Sequence, residues 1–173
     1  WSLAAAWSNS AIPNAVGDWA WLTGNNNLGA GYGPNPSIVT QDLDVTLGYL
    51  IMGDTDRGSA LRLDSPYTTS YWLTFNTGDD GVRALLSHGS GDLHQPGVPG
   101  GHFDIGTDSD RISSGIRVAD PQGLYIETWR SLYLLGGLTN SRALDGMGGD
   151  IVKAEGHFLY IQRTVTNVRN FYV

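Results

Sequence analysis

Short runs of alternating apolar and polar residues, cut repeatedly by glycine, proline and aspartate, constrain this chain more than any other feature. Val39 to Met52 alternates, with Leu43, Val45, Leu47 and Tyr49 on one parity, and stops at Gly53-Asp54-Thr55-Asp56-Arg57-Gly58. Thr69 to Asn76 places Tyr71, Leu73 and Phe75 on one face and Trp72 and Thr74 on the other. Val82 to His88 follows the break Gly78-Asp79-Asp80-Gly81 and reads as the return strand of a hairpin. Ser59 to Leu63, Ile112 to Val118, Leu124 to Leu135 and Ile151 to Val168 complete the set. A period of two marks strands, and 24 glycines and 7 prolines leave little room for helices. About eight to ten short strands with turns roughly every 8–14 residues predict an all-β, single-domain β-sandwich of jelly-roll type. No fixed-period repeat is visible, so the acidic glycine turns read as hairpin tips and not as solenoid units.

Residues 1–36 differ from the rest. Trp1, Trp7, Trp19 and Trp21 lie there, followed by the Gly/Asn loop from Thr23 to Pro36. This stretch reads as an extended arm, with one strand near Trp19 to Leu22, preceding a β-sandwich domain over 37–173. The start at Trp1 suggests a removed signal peptide. Four tryptophans in a free arm would expose too much apolar surface in water. The arm is therefore expected to dock on its own sheet or on a neighbouring copy, and the apolar tail Phe171-Tyr172-Val173 invites the same.

Charge narrows the function classes. Only 16% of residues are charged, and the net charge is −7. Glu127 and Glu155 are the only glutamates and Lys153 the only lysine. The acid is otherwise aspartate, a turn residue and a ligand of hard cations. A surplus of negative charge argues against nucleic acid and anionic lipid surfaces. The absence of cysteine excludes disulfides, thiolate metal sites and cysteine nucleophiles. No apolar run is long enough for a membrane-spanning helix.

Several residue sets could carry chemistry. Asp104, Asp108 and Asp110, with Thr107 and Ser109 between them, form the best oxygen-rich loop for Ca2+, although the spacing is not that of an EF-hand. His102, Asp104 and His157 have the outline of a two-histidine, one-carboxylate iron site. Glu127 and Glu155 have the composition of a glycosidase pair, which only their separation in space could support. Trp72 and Trp129, and with them Trp19 and Trp21, could stack on sugar rings, because an indole has apolar faces and one polar edge.

Three functions are expected in this order. The first is a structural subunit of an extracellular, cell-surface or virion assembly (a filament, surface layer, or capsid or tail component), a homo-oligomer or polymer of self-assembling copies joined by strand or arm exchange. The second is a calcium-dependent carbohydrate-binding module. The third is a jelly-roll enzyme, either an iron oxygenase or a glycanase.

Overall fold

The computed structural model describes residues 1–7, 9–24, 37–54, 61–65, 71–78, 81–88, 110–128, 131–140, 149–154 and 158–173. Among these residues, apart from one 3-10 turn at Ala4–Ala6, the regular structure is entirely β. The strands are β1 (Trp19–Gly24), β2 (Ser37–Thr40), β3 (Val45–Leu47), β4 (Tyr49–Asp54), β5 (Leu61–Asp64), β6 (Trp72–Phe75), β7 (Ala84–His88) and β8 (Asp110–Ile112). They continue with β9 (Gly115–Val118), β10 (Gly123–Thr128), β11 (Leu132–Leu134), β12 (Leu138–Asn140), β13 (Asp150–Ala154), β14 (Leu159–Ile161), β15 (Val165–Thr166) and β16 (Phe171–Tyr172).

Each strand pairs with the strand three places on, and every ladder is parallel. The first sheet runs β1-β4-β7-β10-β13-β16, the second β2-β5-β8-β11-β14, and the third β3-β6-β9-β12-β15. One circuit of the chain lays one strand in each sheet, and the next circuit stacks upon it. The protein is thus a three-sided parallel β-helix.

The all-β expectation holds, but the sandwich expectation fits these sheets poorly. A sandwich of hairpins pairs neighbouring strands antiparallel; here consecutive strands lie in different sheets. The expected hairpin of β6 and β7 is absent, since β6 pairs with β3 and β9 while β7 pairs with β4 and β10. The reading against solenoid units is corrected too. The coils differ in length, from 20 residues between the paired Val152 and Tyr172 to 49 between the paired Arg62 and Arg111, so no fixed period marks them.

The core is a set of ladders running through the coils. Ala20, Leu50, Leu86 and Ile126 stack in the first sheet, Leu63, Ile112 and Leu134 in the second, and Val45, Leu73, Ile116 and Leu138 in the third; all are buried. Each layer covers the one below, so coils that could not bury their inner face alone do so together.

Corners decide where a run of alternation bends into the next sheet. At the first bend between the second and third sheets, the buried Gln41 amide donates to the carbonyls of Leu43 (3.0 Å) and Trp72 (2.9 Å). Its oxygen accepts from Ser114 Oγ at 2.6 Å. One side chain thereby staples three successive coils. Gly136 occupies the equivalent bend two coils above that of Ser65, where a Cβ would lie 2.2 Å from the Ser114 carbonyl.

Of the two docking modes expected for the N-terminal residues, the described ones lie on their own body. Trp1 is buried in the common core cluster, its indole Nε1 donating to the Pro13 carbonyl at 3.0 Å. Trp7 Nε1 donates to the Trp1 carbonyl at 3.1 Å. Ser2 N–H donates to Asp42, and Asn14 Oδ1 accepts from Thr46 N–H at 2.7 Å. Trp19–Gly24 is itself the first strand of the first sheet.

Candidate functional site

The first sheet carries the most distinctive surface. Its alternation sends Ala20 and Leu22 inward and leaves Trp19 and Trp21 outward, 61% and 57% exposed. Parallel register then aligns outward residues from coil to coil. One row reads Trp19, Tyr49, Leu85, Tyr125, Val152, Tyr172. The adjacent row reads Trp21, Ile51, Ser87, Glu127, Ala154, of which Ser87 is fully buried.

Within these rows the Trp19 and Tyr49 rings are stacked, with centroids 4.1 Å apart and planes at 19°. Ser87 Oγ donates to Glu127 Oε2 at 2.9 Å, which holds that carboxylate against the sheet. Tyr125, Tyr49 and Glu127 are half-buried, so their edges remain available at the surface. The strip therefore offers flat apolar faces at one end, hydrogen-bonding groups in the middle, and the half-exposed Tyr172 at the other end.

The other two faces are built differently. On the third sheet, Thr46, Thr74, Arg117, Thr139 and Thr166 form an outward row. Trp72 is half-buried there, with the Arg117 guanidinium carbon 4.5 Å from its ring centroid. A cation occupies one indole face as Tyr49 occupies one face of Trp19, but Trp72 is also half-buried, so it presents less free ring than the exposed Trp19 and Trp21. On the second sheet, Arg111 holds Asp64 through two hydrogen bonds, Nε to Oδ1 at 2.9 Å and Nη2 to Oδ2 at 2.7 Å. Ser113 Oγ adds a third at 2.8 Å. Burial pushes the Asp64 carboxyl upward, but the hydrogen bonds from Arg111 and Ser113 and the charges of Arg111 and Arg62 outweigh it, leaving it below its ordinary value. This group is an ion pair that ties β5 to the start of β8–β9.

Other residues singled out from the sequence fall as follows. Asp104 and Asp108 lie outside the described residues, as do Trp129, His102, His157 and Glu155. Asp110 opens β8 opposite Leu132. Among the described residues no group of three or more histidine, aspartate or glutamate side chains is placed to hold a metal ion. His88 is buried on the inner parity of β7, between Met52 and Thr128. Among the described residues no helix is long and apolar enough to cross a membrane.

Sequence reasoning placed Trp19 and Trp21 among the stacking candidates but missed Tyr49, Tyr125, Ser87 and Tyr172. Their only shared signal is parity, which links them once the register between coils is known. No protein-family model, curated protein or solved structure matches the chain.

Proposed function

We propose that this protein is an extracellular glycan-binding module whose binding face is the outer side of the first sheet. The observation that carries this reading is the exposed Trp19–Tyr49 stack beside the exposed Trp21. Two large indoles left in water on a flat, rigid sheet are costly unless something covers them. Sugar rings combine apolar C–H faces with hydroxyl edges, and suit indole and phenol rings flanked by the half-buried Glu127, which the buried Ser87 holds in place. The low charged fraction and aspartate-rich turns support a location outside the cytoplasm, at a cell surface or virion.

The strip holds one carboxylate, Glu127, among its described residues, and a single carboxylate is a poor seat for Ca2+. Sugar binding there is metal-independent on this reading, and any calcium held by Asp104, Asp108 and Asp110 has a separate role. The test is affinity electrophoresis through gels containing soluble polysaccharides, with and without chelator. Trp19→Ala and Trp21→Ala are expected to abolish retardation while the thermal unfolding curve stays within about 2 °C of the parent's, as for exposed sites. Retardation that survives both substitutions would remove this function from the face.

A second reading, assembly of copies, is favoured by the last coil. Phe158, Tyr160, Val165 and Tyr172, on or beside its strands β14, β15 and β16, are exposed. Copies would then join through this coil. Sedimentation equilibrium decides the matter: a single 18.6 kDa species across the accessible concentration range ends the assembly reading.

A further inference from the structure

Resting on the glycan-binding reading, we infer that the ligand is an unbranched, uncharged oligosaccharide chain that lies along the axis of the β-helix, across the strands, and spans the strip from Trp19 to Tyr172. The argument comes from the register. Trp19, Tyr49, Leu85, Tyr125, Val152 and Tyr172 are direct partners from one coil to the next, so they form a single straight row. Neighbouring strands are 4.7–4.9 Å apart, so the row is about 24 Å long. A single sugar would cover only the Trp19–Tyr49 stack and leave Tyr125 and Tyr172 unused. A chain running along a strand would meet only the two outward positions that each strand gives the strip, Trp19 and Trp21 on β1 or Tyr49 and Ile51 on β4.

The polarity of the rows sets the ligand's charge. Apart from Glu127 they contain no ionisable group that is charged at neutral pH, and none is cationic. A carboxylate held by Ser87 accepts hydrogen bonds from sugar hydroxyls and repels a uronate or sulfate. The chain's net charge of −7 adds to that repulsion. The exposed ends of the row, Trp19 and Tyr172, then act as terminal platforms, and the half-buried Tyr49, Leu85 and Tyr125 form the floor between them.

Calorimetric titration of the full chain with cello-, xylo- and chito-oligosaccharides of two to six residues tests this. Affinity for at least one series is expected to rise about tenfold or more between dimer and hexamer, equivalent to ~1.4 kcal/mol. Trp19→Ala should weaken every length. Tyr172→Ala should weaken the hexamer and leave the dimer unchanged, and Val165→Ala, on the third sheet at the same end, should alter neither. Oligogalacturonates of the same lengths should bind more weakly than the neutral series. Equal affinity for dimer and hexamer, a Tyr172→Ala effect identical at all lengths, or tighter binding of the galacturonates would overturn the axial, neutral-chain inference while glycan binding stands. Failure of every oligosaccharide to bind would overturn the underlying function as well.

Discussion

Replacing Asp120 with alanine tests whether corner hydrogen bonds hold the coils of this solenoid in register. Asp120 is fully buried, and its carboxylate accepts from Thr77 N–H at 2.8 Å, Gln122 N–H at 2.8 Å and Gly123 N–H at 3.2 Å, as well as from the Thr77 hydroxyl. It joins the bend after β6 to the bend before β10, one coil later. In the alanine variant the Gly123 amide keeps the Asp120 carbonyl at 3.1 Å, and the Thr77 hydroxyl keeps the Val82 carbonyl at 2.8 Å. The amides of Thr77 and Gln122 lose their carboxylate oxygens. A buried donor deprived of its acceptor costs ~1–3 kcal/mol, and the Gln122 amide is only partly buried, so a loss of about 2–4 kcal/mol is expected. At ~2–4 °C per kcal/mol for a chain of this size, Tm falls by about 4–16 °C. Asp120→Asn should fall between alanine and the parent, because one oxygen still serves one set of donors while the amide group opposes the other. Circular-dichroism melts of the three proteins read this directly. An alanine variant melting within about 2 °C of the parent, or an asparagine variant less stable than alanine, would refute the reasoning.

Two further outcomes follow from the corners and the second sheet. Gly136→Ala puts a Cβ against the Ser114 backbone and should prevent folding or yield only insoluble protein, whereas Gly81→Ala, at φ +79 with nothing within 4 Å, should cost about 1–2 kcal/mol; comparable urea midpoints for the two would contradict this. The Asp64 carboxyl, held below its ordinary value chiefly by Arg111 and Ser113 against the upward push of burial, contributes stability that is present above the unfolded-state pKa of about 3.9 and lost as pH falls through its lower folded value. Urea midpoints of the parent and Asp64→Asn should therefore differ most at pH 5 and converge below pH 4, by no more than about 1 kcal/mol for a partly exposed pair; a gap that widens on acidification has the wrong sign.

Parity was legible within single strands but not across the bend at Gly48, where Tyr49, on one parity with Leu43, Val45 and Leu47 in the sequence, turns outward and Leu50 and Met52 turn inward. Leu73 and Phe75 inward against Trp72 and Thr74 outward, or Ala20 and Leu22 inward against Trp19 and Trp21 outward, follow from alternation and are met in the structure. The longer runs were less legible. Leu124 to Leu135 reads as one strand but is β10 and β11, and Ile151 to Val168 is β13, β14 and β15. Ile112 to Val118 likewise bends at Ser113 and Ser114, whose role is visible only when Gln41 and Asp64 arrive from distant positions, and the bend after Leu135 falls at Gly136, where the decisive constraint is a neighbouring coil. The candidate site was half visible for the same reason: Trp19 and Trp21 stand out as residue types, while Ser87, Tyr125 and Tyr172 look like ordinary strand residues.

Period-two alternation and frequent backbone breakers are local properties, and by themselves they determined an all-β protein and, within each strand, the alternation of inward and outward side chains. They are identical for strands that pair antiparallel across a turn and for strands that pair in parallel after a full circuit. That choice rests on contacts between residues some 20 to 49 positions apart, such as Val152 with Tyr172 and Arg62 with Arg111. Only the tertiary structure could make it, and with it the straight row of outward rings, because alignment between coils depends on corner geometry that no single coil contains.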